Sequence, residues 1–190
     1  MLQPKHFITP EEYLELEKSS PDKHEYWNGE MYMMAGTTRQ HNRITINTTK
    51  ALDRLLERRP YSVLAMDIRL RIQKDDLYTY PDVMVVCGKI ETDPRQQDTV
   101  MNPLVIVEGL ADSTQGYDKG KKFKMYRTIS SLQEYAMIDQ TQPYVEVYRR
   151  TGHFWVFEAL EGMDAVLMLK ALEVEIALAE IYAQVDWESA

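Results

Sequence analysis

The sequence predicts an α/β (α+β) fold in one domain spanning 1–190, and three observations carry that expectation. Two apolar runs, Val83-Met84-Val85-Val86-Cys87 and Leu104-Val105-Ile106-Val107, barely alternate with polar residues, as in central strands covered on both faces. Three segments open with helix-start signals or space their apolar residues at a helical period. After Tyr135 the chain is rich in short strand signals separated by turn residues. With 190 residues, 44% of them hydrophobic, the chain can bury a substantial core.

Taken in order, the first element is a short helix. Thr9 can cap it, Pro10 suits the first helical position, and Glu11 and Glu12 suit the positive end of the helix dipole. It should end near Ser19-Ser20-Pro21. Glu25 to Tyr32 reads as a hairpin, because Asn28-Gly29 between aromatic-rich strands is a strong two-residue turn signal. Glu25 and Glu30 flank that turn, where surface positions are expected. Gln40 to Arg58 reads as a helix with His41 in its first turn. Tyr61 to Ile72 gives one or two strands; Ile68, Leu70 and Ile72 alternate with Arg69 and Arg71, as in a half-exposed strand. Lys74-Asp75-Asp76 is a turn, and Tyr78 to Cys87 reads as one continuous strand. Gly88 to Asn102, polar and broken by Pro94, reads as an exposed loop. Leu104 to Leu110 is a second central strand, Ala111 to Gly116 a loop, and Asp118 to about Ile129 a helix. Tyr135 to Ile138, a hairpin around Thr151-Gly152, two short strands at Val166–Leu169 and Val174–Ile176, and a closing helical turn from Leu178 complete the reading.

Composition narrows the function classes. The net charge is −8 and the pI about 5.1, which argues against a surface coated for nucleic acid but not against a local basic site, since charge is felt over only about 8 Å at physiological salt. No apolar run approaches the roughly 20 residues a membrane helix needs, so no membrane association is expected. Cys87 is the single cysteine and the first residues lack a signal-peptide core, so a cytoplasmic setting is expected.

The stretch Tyr80 to Tyr126 carries the chemistry. Asp82 and Glu108 sit at or beside the two apolar strands, and a buried carboxylate is costly unless paired. If those strands are neighbours, carboxylates about 5 Å apart would repel by roughly 3 kcal/mol at an effective dielectric near 20. A divalent cation or a lysine would remove that cost, and an all-oxygen site suits Mg²⁺ or Mn²⁺. On the following helix Asp118, Lys122 and Tyr126 are four apart and line one face. Lys119, Lys121, Lys124 and Arg127 crowd the same turns, forming the most basic segment of the chain. Carboxylates that bind metal, a lysine and a basic helix together suit phosphodiester hydrolysis. Each piece also has a plain reading: Pro-Asp as a turn, Glu108 as a strand-end residue, the lysines as a solvated face, His41 as a structural histidine.

Several segments together resemble the Uma-type restriction-endonuclease family of the PD-(D/E)XK nuclease superfamily. They are His24-Glu25-Tyr26 with Asn28-Gly29-Glu30, His41-Asn42, Tyr80-Pro81-Asp82-Val83, Val107-Glu108 with Ser113-Thr114, and Tyr117-Asp118-Lys119-Gly120-Lys121-Lys122-Phe123. The resemblance implies a restriction-endonuclease-like mixed central sheet flanked by helices, with extra antiparallel strands toward the C-terminus. It implies Asp82 and Glu108 as the two acids. The superfamily's lysine position, two residues after the second acid, is Leu110 here, and Lys122 on the following helix matches the family's relocated lysine. Gly109 stands where a bulky apolar residue is expected; glycine weakens a strand by roughly 0.5–1 kcal/mol and could shift Glu108.

The expected function is Mg²⁺- or Mn²⁺-dependent hydrolysis of DNA phosphodiester bonds, as a homodimer. Asp82 and Glu108 would hold the metal, and Lys122 would act at the attacking water or phosphate. Glu25, His41 and Tyr126 would support the site. Lys119, Lys121, Lys124 and Arg127 would contact nucleic acid. The alternative is a nuclease-like fold that binds nucleic acid or protein with little catalysis; RNA is an open substrate as well.

Overall fold

The computed structural model describes residues 7–34, 36–110 and 117–187, and the side chains of all of these except 117–119. Its first helix, α1 (Pro10–Ser19), begins as the sequence dictates: the Thr9 hydroxyl accepts from the Glu12 N–H while the Glu12 carboxylate accepts from the Thr9 N–H, a reciprocal capping box. Tyr13 and Leu14 turn its buried face to the protein. The hairpin β1 (His24–Trp27) and β2 (Glu30–Met33) turns at Asn28 and Gly29, both at positive φ, as a two-residue turn matching strand twist requires. The long helix α2 (Arg39–Leu56) is capped by Thr38, whose hydroxyl oxygen accepts from the His41 N–H at 3.0 Å.

The remaining elements are strands β3 (Tyr61–Ala65), β4 (Arg69–Ile72), β5 (Leu77–Thr79), β6 (Val83–Cys87), β7 (Thr92–Asp93), β8 (Gln96–Val100) and β9 (Val105–Leu110). A widely wound π-helical segment, Tyr117–Lys122, then runs into α3 (Phe123–Tyr126). After it come β10 (Glu134–Asp139), β11 (Tyr144–Thr151), β12 (Phe154–Glu161), β13 (Val166–Leu169), β14 (Val174–Ala177) and α4 (Leu178–Ile181).

Two six-stranded sheets and a separate β13–β14 hairpin result. One sheet runs β2-β1-β5-β4-β8-β7, the other β12-β11-β10-β9-β6-β3. Both are mixed: β4 pairs β8 in parallel and β9 pairs β10 in parallel, the other neighbours being antiparallel. The second sheet is central. Its odd-numbered side chains on β6 and β9, Val83, Val85, Val105 and Val107, pack with Ile44, Leu52 and Leu56 of α2 and with residues of β13, β14 and α4. The even-numbered set, Met84, Val86 and Ile106, packs with Leu70, Ile72 and Leu77 of the first sheet and with Met125 and Tyr126. Both faces are therefore apolar, which explains the non-alternating runs.

Three expectations need correction. The run Tyr78 to Cys87 is not one strand: β5 belongs to the first sheet and β6 to the second, and the chain crosses between them at Tyr80-Pro81-Asp82. Proline cannot donate to a ladder, so the break falls there. Gly88 to Asn102 is not merely an exposed loop: it holds the β7–β8 hairpin, with Asp93 and Thr99 fully buried. The arginines of β4 do not face water: Arg69 is buried, donating from Nε to the Tyr80 hydroxyl at 2.9 Å, and Arg71 pairs with Asp93 at 3.0 Å.

Candidate active site

The central sheet places the two acids. β6 and β9 are antiparallel with Val83 opposite Val107, so the next position in register sets Asp82 beside Glu108. Glu108 lies on the even-numbered face and is only 5% exposed. Asp82 lies just before β6, in the crossing between sheets, where no ladder serves its backbone. Its carbonyl accepts from the Met66 N–H at 3.0 Å, and its N–H points to Glu108 Oε2 at 3.4 Å. The Asp82 carboxylate turns to the other side: Oδ2 accepts from the Gly109 N–H at 2.7 Å and lies 2.8 Å from His41 Nε2. A carboxylate only accepts, so Nε2 carries the hydrogen.

The segment after β9 returns to Glu108. Tyr126 donates its hydroxyl to Glu108 Oε1 at 2.7 Å, and Lys122 Nζ lies 3.4 Å from the same oxygen. Both residues reach one atom because they are four apart on the same helical face. Lys122 Nζ is also 3.2 Å from Glu25 Oε1, which accepts in addition from the Thr79 hydroxyl. Burying an ammonium requires compensating charge, and two carboxylates supply it to a Lys122 that is only 7% exposed.

Of the residues singled out in the sequence, Asp82, Glu108, Lys122, Glu25, His41 and Tyr126 are thus brought together. Glu25 is the correction among them. Its position beside the hairpin turn suggests a surface residue, yet it is buried, because β1 pairs with β5 and carries Glu25 alongside Thr79. Lys121, Lys124 and Arg127 are exposed, with Lys121 Nζ 5.6 Å from the Trp27 ring centre. The side chains of Asp118 and Lys119, and the pair Ser113-Thr114, lie outside the described residues. Leu110 is buried in the apolar layer between the sheets, so its place could not present a charged head. Glu108 keeps its register opposite Met137, and Gly109 stays paired with Ile138, so glycine does not displace the acid. Sequence reasoning missed Thr79 and the use made of Gly109; the pairing of β1 with β5, a non-local fact, was needed for the first.

Among the described residues, no three His, Cys, Asp or Glu side chains converge as a ready metal cage. The donor types are those of a hard divalent ion, with the Asp82 carboxylate turned toward Gly109 and His41 and the Glu108 carboxylate toward Lys122 and Tyr126. Two carboxylates from neighbouring strands, with phosphate and water oxygens completing the shell, are the usual protein share of a Mg²⁺ site. Lys122 lies against Glu108 and Glu25 as their resident cation.

A mixed central sheet with Asp82 and Glu108 at adjacent register positions, followed by a helix that carries Lys122, is arranged as in a restriction-endonuclease-like fold. The chain belongs to the Uma2 family, described as "Putative restriction endonuclease", whose model matches residues 10–179. It is similar to two uncharacterized proteins of Synechocystis sp.: sll1609, 37% identical over 88% of this chain and 95% of the relative, and slr1290, 30% identical over 92% and 91%. The fold is shared with a crystal structure from Anabaena variabilis titled a putative nuclease belonging to DUF820. The TM-score is 0.77 at 17% identity, covering 94% of this chain and 99% of that one.

Proposed function

We propose that the protein is a metal-dependent endonuclease that hydrolyses phosphodiester bonds of DNA. The observation that carries this reading is the meeting at Glu108: Oε1 takes Lys122 and Tyr126, and Oε2 accepts from the Asp82 backbone N–H. Asp82 and Glu108 would hold Mg²⁺ or Mn²⁺, which when bound supplies a water of lowered pKa and screens phosphate charge. Tyr126 fixes the Glu108 carboxylate through one oxygen and leaves the other on the Asp82 side. Glu25 and Thr79 hold the Lys122 head from the opposite side. Lys122 presents a positive charge where negative charge develops on the phosphate as water adds to phosphorus and the P–O bond to the sugar breaks. The exposed Lys121, Lys124 and Arg127, together with Lys119, would contact flanking phosphates, giving an acidic chain one locally basic surface.

Two measurements test the reading. Plasmid nicking in Mn²⁺ should vanish with chelator and with Asp82→Ala; cleavage persisting in Asp82→Ala would overturn the assignment. Mn²⁺ should also raise the melting temperature of the wild type, since a ligand bound only to the folded state stabilises it. The Asp82→Asn, Glu108→Gln double variant should lose that shift, and an unchanged shift would place the ion elsewhere.

A further inference from the structure

Gly109 is a glycine without a conformational reason. It is not among the positive-φ glycines of the chain, and it sits in regular register within β9. A side chain there would strengthen the strand. The reason lies in packing. Gly109 faces α2, and a Cβ at this position would lie 2.9 Å from His41 Nε2, 3.0 Å from Cδ2 and 3.3 Å from Cε1. The imidazole therefore lies flat over the space a side chain would fill.

The histidine cannot take this position from a mobile base. Its N–H is bonded to Thr38, and the Thr38 hydroxyl donates to Gln140 Oε1 at 2.6 Å. Further along α2, Asn47 donates from Nδ2 to the Ile181 and Ala183 carbonyls, and Ile44, Ala51 and Leu52 are in the core. With the helix fixed, a methyl at 109 would be relieved by rotation of the ring away from Asp82. Asp82 has no strand ladder of its own. With the Gly109 N–H as its one remaining described contact, its carboxylate would pivot about that bond.

We infer that Gly109 is a positioning residue: its absent side chain is the opening through which His41 reaches Asp82, and His41 fixes the orientation of that carboxylate. The inference rests on the reading of Asp82 as the acid of a nuclease site, but the contact itself is testable without it. Five proteins are compared: wild type, Gly109→Ala, His41→Ala, the double variant of these two, and Asp82→Asn. The first readout is the ¹H–¹⁵N spectrum of the imidazoles at one fixed pH. The His41 Nε2 signal should move in Gly109→Ala in the direction it moves in Asp82→Asn; an unmoved signal would overturn the inference.

The second readout is steady-state cleavage. Gly109→Ala should lower kcat by about tenfold to a hundredfold, the scale of a small misplacement at a reacting centre, with KM little changed. The same substitution on the His41→Ala background should add nothing, because the ring it displaces is gone. An equal additional loss on that background would show that Gly109 acts through the strand instead. Absence of any cleavage by wild type would overturn the proposed function, while the imidazole spectrum would still decide the inference.

Discussion

Lys122 is the residue to which the proposed chemistry assigns the positive charge. It leaves a helix, not the strand position two residues after Glu108, because that position is Leu110 and is packed between the sheets. Its head is 3.2 Å from Glu25 and 3.4 Å from Glu108, so its place is specified from two sides. Lys122→Met keeps an unbranched stem and removes the charge. We expect it to fold, to keep the Mn²⁺-induced rise in melting temperature, and to cleave DNA about a hundredfold more slowly or worse, the scale of losing one electrostatic stabiliser. Stopped time courses on supercoiled plasmid would read this. Lys121→Met is the control, since Lys121 is exposed and points to Trp27; an equal loss there would make general basicity the cause. At this scale the sequence was informative. Asp82, Glu108, Lys122 and Tyr126 could be named because two acids beside apolar runs and a four-residue spacing are local patterns. Glu25 read as exposed because its burial depends on β5, some fifty residues further along.

At the scale of elements, what could be read depended on how local the cause was. Both capped helices and both Gly-containing hairpins follow from adjacent residues. The split of Tyr78 to Cys87 does not, because apolar residues continue on both sides of Pro81 and only the pairing of β5 with β1 and β4 reveals two sheets. The β7–β8 hairpin was hidden for the same reason, since its anchor is Asp93. Burial opposes the charge of Asp93, but the Arg95 N–H, the Tyr78 hydroxyl and the charges of Arg71 and Arg95 outweigh it and hold the carboxyl below its ordinary value. A carboxyl with a lowered folded pKa adds stability that is present above the unfolded value, about 3.9, and is lost as pH falls through the folded value. Asp93→Asn should therefore flatten the acid limb of a stability curve below about pH 4. It should also cost stability at neutral pH, because the partly buried Arg71 loses its carboxylate partner. Urea melts at pH 3 and pH 7 would show it; parallel curves for the two proteins would contradict it. The basic turns around α3 make a second element-scale prediction. Changing Lys121 and Lys124 to Gln should weaken DNA binding and lower the salt slope by up to roughly two units, and a slope equal to wild type would leave that face merely solvated.

At the scale of the whole molecule, the two edges of the central sheet differ. β3 ends one side, half-buried along its length. β12 ends the other, eight residues long, with Phe154 76%, Val156 51% and Phe157 50% exposed. A long apolar edge offers unpaired backbone groups and invites another strand. The charges that would ordinarily discourage this are Glu158 and Glu161, and Glu158 is already engaged by Arg149. A second copy is the occupant that symmetry favours, because one edge pairing antiparallel with itself closes a two-fold dimer and covers both copies of the β12 edge. Two such subunits would also present two sites to a duplex, which would suit cleavage of both strands. We expect sedimentation at micromolar concentration to give twice the 22.2 kDa of the chain. Val156→Lys places a charge in the middle of the edge, away from Asp82, Glu108 and Lys122. It should shift the protein to monomer while leaving the Mn²⁺-dependent rise in melting temperature in place. A wild type that sediments at 22.2 kDa throughout that range would remove the dimer. A Val156→Lys protein that remains dimeric would move the interface to another surface, with the exposed side of α1, where Leu16 is half exposed, as the next one to alter.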